Sequence, residues 1–281
     1  MEPTPTIEPS YEDQANNPLE YPVEYFDAQI QFAVKWAELS GDGLEETLMF
    51  KTAIGRRLGF KDGVDQDGND ISGLLQGAQT APEITSALYG RYILLDSSHY
   101  TETDLSSKGR KFFGFDYYPE NKQNNGLNTI KVHYENNTRG AQSGLSRDLL
   151  LERQAEVKNM ITGIVAEHPE AQEVIGGSWL YNLPAYAASF PPEFTDTMAT
   201  LVPKELAEEY PDAVPQMAFS GNSVWGQFVD KRGWANKDRY DRLIEGIDAA
   251  SSLVELYEAI PLKPLQPKAH PDAFINWEFA A

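Results

Sequence analysis

The chain has 281 residues, 41% of them hydrophobic and including 13 Phe, 14 Tyr and 5 Trp, enough apolar mass to close a core over most of its length. It contains no cysteine, which excludes disulfides, thiolate zinc sites, iron–sulfur clusters and cysteine nucleophiles. Lys and Arg number 23 against 43 Asp and Glu, a formal charge of −20, so neither a nucleic acid nor an anionic membrane surface is the expected partner.

Residues 1–20 are rich in Pro, Glu and Asn, carry no Lys or Arg, and read as a flexible acidic tail without the basic and apolar regions of a signal peptide. No later run approaches the roughly 20 apolar residues of a membrane span. The expected location is cytoplasmic. A mainly helical part is expected over 21–110 and an α+β part over 111–281, the two forming either separate units or one continuous domain.

The first predicted helix spans 23–39, with Phe26, Ile30, Ala33 and Ala37 on one stripe. Glycines at 41 and 43 stop it, and a second helix is predicted over 44–58. The glycine-punctuated run 61–79 reads as loop, and Pro82 suits the first turn of a helix through residue 95. A hairpin follows, with strands at 111–118 and 127–135. In the second, Ile130, Val132 and Tyr134 alternate with Lys131, His133 and Glu135.

The most regular helix of the chain is predicted over 146–168, ended by Pro169. Residues 174–181 suggest a strand, 184–190 a short helix, 216–220 a short strand, and 223–229 and 237–260 helices, the last breaking near Ala250. The Pro-broken end, 261–281, is expected to lie extended across the body. The fold class that follows is α+β, an antiparallel or mixed sheet covered by helices.

Several runs imitate chemistry without meeting its requirements. The acidic run 62–70 looks like a calcium loop, but placing Gly68 at the obligatory glycine puts Gly63 and Leu74 where carboxylates are needed. A surface turn of Asp, Asn and Gly accounts for it better. Asp96, Ser97, Ser98 and His99 contain triad residue types, but neighbouring side chains point apart. Gly221-Asn222-Ser223-Val224-Trp225 has Trp where a nucleophile elbow needs its last glycine. The four histidines are dispersed, and no metal site is expected.

The loop after the second hairpin strand has the strongest functional character. It carries Arg139, Gly140 and Gly144 and delivers the chain to Ser146 and Arg147 at the start of the long helix. Free amides there, with the two arginines, suit a phosphate, pyrophosphate or carboxylate. Ser146 acting as a plain N-cap is the competing reading. Trp179 and Asn182, in the block that follows Gly176 and Gly177, and Trp225 further on, are candidate pocket residues against a default of aromatic core.

The stretch 130–230 resembles an uncharacterised group of bacterial proteins. It shares with them Ser143-Gly144-Leu145-Ser146, the Gly-Ser-Trp-Leu-Tyr-Asn block at 177–182, the Phe190-Pro191-Pro192 step and the Trp-Gly-Gln-Phe block at 225–228. More distantly, the order strand-His, Gly-x-Leu-Ser, helix, Ser-Trp-Leu is similar to the C-terminal half of GNAT-like acyltransferases. The usual Gln/Arg-x-x-Gly-x-Gly/Ala signature is not met, since Gln142 stands three residues after Arg139. The resemblance implies acyl-CoA as donor, with its pyrophosphate on amides around Gly140, Gly144, Ser146 and Arg147. It also implies His133 or Glu135 as general base and Tyr181 as the acid for the leaving thiolate. A non-catalytic small-ligand or protein-binding role is the alternative expectation.

Overall fold

The structure is a computed structural model that describes residues 21–61, 63–65, 67–95, 115–124, 127–134, 145–216, 222–229 and 234–279, with the backbone alone for 115–124, 127–128, 133–134 and 222–223. The predicted tail at 1–20 lies outside these residues.

Helix α1 (Val23–Ser40) opens after Pro22 and ends at Gly41, whose φ of 78° is left-handed and whose N–H reaches the Ala37 carbonyl at 3.0 Å. Its sides are nearly all covered: Tyr25, Phe26, Ala28, Ile30, Phe32, Ala33 and Trp36 are buried together. The helix predicted over 44–58 is two pieces, α2 (Leu44–Phe50) and α3 (Ile54–Arg57). The break has a specific cause. Gln29, fully buried on α1, accepts the Ala53 N–H at 2.7 Å, and the Thr52 hydroxyl bonds the Leu48 carbonyl and the Ile54 N–H. These side chains replace the backbone ladder for one turn.

After the short α4 (Ile71–Leu74) comes α5 (Ala81–Leu94), with Pro82 in its first turn and a capping box between Thr80 and Glu83. On α1, Asp27 accepts from Gln31 at 2.6 Å, from Thr85 of α5 at 3.2 Å, and from the Tyr240 hydroxyl at 2.5 Å. Tyr240 belongs to α10 (Lys237–Ala249), so one carboxylate ties three helices.

The predicted hairpin is present as β1 (Phe115–Asn124) and β2 (Leu127–Tyr134). The long helix begins with a 3-10 turn at Arg147–Leu149 and runs as α6 (Leu150–Glu167). It returns the chain to β3 (Ala171–Ile175), parallel to β2. A strand–helix–strand crossover therefore sits beside an antiparallel hairpin.

Beyond β3 the predicted strand stops short. Residues Trp179–Asn182 form a 3-10 turn instead, capped by the Ser178 side chain. Then come α7 (Pro184–Ala187), α8 (Pro192–Thr195) and β4 (Ala199–Pro203), the last with no counterpart among the predicted elements. Further on lie β5 (Val214–Gln216) and α9 (Asn222–Trp225). After α10, the predicted break near Ala250 separates it from α11 (Leu253–Glu258), which Ser252 caps.

The C-terminal run supplies β6 (Leu265–Gln266), β7 (Lys268–Ala269) and α12 (Asp272–Ile275). Two mixed sheets result, ordered β1-β2-β3-β7 and β5-β4-β6, so the fold is α+β. The segment 265–269 pairs with β4 through β6 and with β3 through β7, joining the two sheets.

Two hydrophobic cores fill the molecule. The first gathers α1 and α5 with Val202, Trp225, Leu243, Ile247, Leu256 and Tyr257, so it draws on both sides of residue 110. Fully burying side chains of this size contributes about 1.5–3 kcal/mol each before entropy is subtracted. The second core packs Ile130, Val132 and Val174 against α6, α12 and the aromatic group Tyr181, Tyr186, Phe190, Phe194 and Phe274. No described helix is long and apolar enough to cross a membrane.

Candidate functional site

The parallel pairing of β2 with β3 ends at Lys131 opposite Ile175. Beyond that point β2 continues with β1 alone, through Val132 opposite Tyr117, His133 opposite Asp116 and Tyr134 opposite Phe115. The chain leaving β3 takes the other side. Gly176 donates its N–H to the Pro267 carbonyl at 3.0 Å, and Ser178 exchanges backbone hydrogen bonds with Leu265 at 3.1 Å. The sheet thus divides at the carboxyl ends of two parallel strands, between 132–134 and 176–178. Such a divergence is where open α/β sheets accommodate ligands.

Gly176 forms one side of this fork, and its lack of a side chain is required. A Cβ there would run into the hydroxyl and ring of Tyr181, whereas at Gly177 it would meet only the Leu201 side chain at 3.8 Å. Tyr181 is sealed in the second core with its ring 4.9 Å from that of Tyr186. Its hydroxyl makes no well-formed hydrogen bond among the described residues. Burial drives its pKa far above the ordinary tyrosine value, tempered by the nearby Tyr186 side chain. A sealed phenol with no route to a leaving group does not fit the acid role expected of Tyr181.

The start of α6 is held by Arg153, a buried side chain. Its guanidinium donates to the Ser189 hydroxyl at 3.0 Å, the Ser146 carbonyl at 2.7 Å and the Ala185 carbonyl at 3.2 Å. Ser146 accepts the Asp148 N–H at 3.4 Å, the capping role that competed with ligand binding. Arg147 is exposed beside it. Of the other residues expected to bind a cofactor, Arg139, Gly140 and Gly144 lie outside the described residues, as does Glu135. His133 is placed by its backbone as the second-last residue of β2.

The three aromatic and amide candidates separate. Trp225 is fully buried in the first core, its ring 5.1 Å from Phe32 and its indole N–H on the Lys51 carbonyl at 3.2 Å. It offers no surface to a substrate, which corrects its expected place in a pocket. Asn182 uses its amide to join the Trp179 and Lys263 carbonyls, each at 2.8 Å, and so pins the 3-10 turn to the C-terminal segment.

Trp179 is half-buried, and the Arg239 guanidinium lies 5.1 Å from its ring centre. Arg239 is held from behind by the Gln227 carbonyl at 3.1 Å. Gln227 is itself fully buried and fixed by the carbonyls of Val224 and Leu262 and by the Leu262 N–H, each at 3.0 Å.

Sequence reasoning missed both Arg153 and Arg239. Arg153 had a signal: it falls in helical phase with Val157, Met160 and Ile164 on the apolar face of α6, where an arginine must find partners. Among the described residues no cluster of His, Asp or Glu could hold a metal ion. No family model matches the chain, and neither does any curated protein or solved structure.

Proposed function

We propose that the fork between β2 and β3 holds an acyl-CoA-type donor, whose acyl group passes to a small-molecule acceptor. The observation that carries this reading is the divergence of two parallel strands at their carboxyl ends, with α6 the next described helix after β2 and a close-packed glycine just beyond β3. The donor's pyrophosphate then lies on the amides of the segment 139–147, with Arg147 contributing charge. Arg153 fixes Ser146, near the end of that segment, through its carbonyl.

In the transfer step an acceptor amine attacks the thioester carbonyl. The new C–N bond forms as the C–S bond breaks, His133 or Glu135 takes the proton lost by nitrogen, and the thiolate leaves. Tyr181 has no part in this step.

The test is thermal unfolding with acetyl-CoA, longer acyl-CoAs, free CoA and inorganic phosphate. A donor present at a hundredfold its Kd adds about 2.7 kcal/mol to the stability. Arg147→Glu should erase the shift while the unliganded protein melts as before. A well-folded sample whose melting no CoA species alters sinks the reading.

A further inference from the structure

We infer that Arg239, over the Trp179 ring, and Arg242, three residues further along α10, form a binding site for a phosphoryl or carboxyl oxyanion, distinct from the fork. A guanidinium has five N–H donors in a rigid fork that matches a planar pair of oxygens. Arg239 directs one of them to a protein acceptor, the Gln227 carbonyl, and its guanidinium carbon lies 5.1 Å from the Trp179 ring centre. Its remaining donors have no acceptor among the described residues. The side chain is half-buried, so these donors are partly withdrawn from water, and its position is set by the fully buried Gln227 rather than left to thermal averaging.

Charge makes the arrangement unusual. In a chain of net charge −20, acceptors for an arginine are plentiful. Yet neither Arg239 nor Arg242 forms an ion pair among the described residues. Of the nearby acids, Asp241 pairs with Lys237 at 2.9 Å, while Asp238 and Glu245, about one turn to either side of Arg242 on α10, are exposed and make no ion pair with it. Burial, followed by the charge of Arg242, lowers the Arg239 pKa, which places two guanidinium charges in each other's field.

The location adds to this. Arg239 lies in the first turn of α10, where the helix dipole already favours negative charge and a protein-side carboxylate is the usual occupant. The carboxylate in that turn, Asp238, is exposed, and Arg239 stands two residues after the start of the helix. An oxyanion seated edge-on against Arg239 satisfies its open donors, relieves the repulsion with Arg242 and meets the helix dipole. Trp179 lies against the guanidinium and limits its movement. The ligand is thus a small molecule carrying a phosphate or carboxylate; the two share the chemistry and differ in charge.

The experiment titrates the full chain with sodium phosphate and with sodium acetate against sodium chloride at matched ionic strength. It follows the arginine Nε–Hε signals by NMR. Saturable movement of the Arg239 signal with phosphate or acetate, and not with chloride, is expected, the stronger of the two naming the ligand class. Arg239→Gln should weaken that binding at least tenfold and Arg242→Gln severalfold, while Arg147→Gln leaves the Arg239 titration unchanged.

No saturable change with either anion in the folded wild-type chain overturns the inference. So does an affinity unaltered in Arg242→Gln, an exposed substitution that keeps the test valid should Arg239→Gln fold poorly. Because Arg147 belongs to the proposed donor site and Arg239 does not, loss of one response leaves the other readable.

Discussion

Two arginines in this chain meet opposite surroundings. Arg91, near the end of α5, reaches into the acidic turn that follows α3. Its Nε donates to Asp65 at 2.9 Å, and its Nη2 lies 2.8 Å from the same carboxylate oxygen and also pairs with Asp67. Asp65 is fully enclosed and accepts in addition the N–H groups of Asp67 and Asn69, both at 2.9 Å. The two carboxylates Asp65 and Asp67 are thus both answered by Arg91. Arg239 keeps one carbonyl and one ring, and its neighbour is another arginine. The acidic run that imitates a calcium loop, and that its sequence marks as a surface turn, is therefore closed by Arg91. It has built its own cation in.

Breaking the closed region should be the more damaging. Asp65→Ala leaves the Arg91 charge without its enclosed partner and should cost about 3 kcal/mol in urea unfolding. Asp67→Ala, whose side chain is 57% exposed, should cost less than about 1 kcal/mol. Equal losses would show that the turn is held by charge in general and not by the enclosed carboxylate.

The pH dependence has a definite sign. Burial pushes the Asp65 carboxyl up, but the Asn69 and Asp67 hydrogen bonds and the Arg91 charge outweigh it and hold the pKa below the usual value. Its contribution is complete above the unfolded-state pKa, about 4, and is lost as pH falls through the lower folded value. Asp65→Asn should flatten that acid limb of the stability curve.

Next in size is the pair of glycines at the fork. Gly176→Ala drives a methyl group into the Tyr181 hydroxyl and ring, and should cost about 2 kcal/mol. Gly177→Ala has ordinary room against Leu201 and should fall within about 0.5 kcal/mol of wild type. Matching effects at the two positions would remove Gly176 from its place as the close-packed side of the fork.

How much of this was legible depends on how far each cause reaches along the chain. Helix α1 announced itself through the stripe Phe26, Ile30, Ala33, and the β1–β2 hairpin through alternation, because both signals are local. The interruption between α2 and α3 was invisible: Gln29, which takes the Ala53 N–H, lies on a different helix. Strand β4 exists because β5 and the late segment β6 flank it, and five residues from Ala199 to Pro203 carry too little pattern to say so.

The candidate site divides along the same line. Of the two glycines before the aromatic block, Gly176 alone makes a close approach that a side chain would prevent. Trp225 misled because a fully buried tryptophan and a pocket tryptophan look alike in one dimension. Arg239 was passed over because its interest lies in what does not surround it, a spatial property with no local signature.

A smaller effect bears on the interior side of the fork. Tyr181→Phe removes a hydroxyl that is buried without a well-formed hydrogen bond, and an unsatisfied polar group stabilises nothing. The substitution should therefore be neutral or stabilise by up to about 1 kcal/mol. A loss beyond that would mean the hydroxyl has a working partner, with Tyr186 the first to examine by the double substitution.

The smallest expected effect is none at all, and it returns to the acidic turn. A calcium ion placed on Asp65 would have to displace the Arg91 guanidinium from the same oxygens and give up the hydrogen bonds that Asn69 and the Asp67 amide donate to them. That exchange loses more ligands than a hard cation in so short a turn regains. Calcium at ten times the Kd of a real site would add about 1.4 kcal/mol, a readily measured rise in Tm. The wild-type chain should melt at the same temperature with and without millimolar calcium. In Arg91→Gln the obstacle is gone, so a calcium response appearing only in that variant would confirm that the guanidinium is the resident cation, whereas a response already present in the wild type would reverse the assignment of which region is closed.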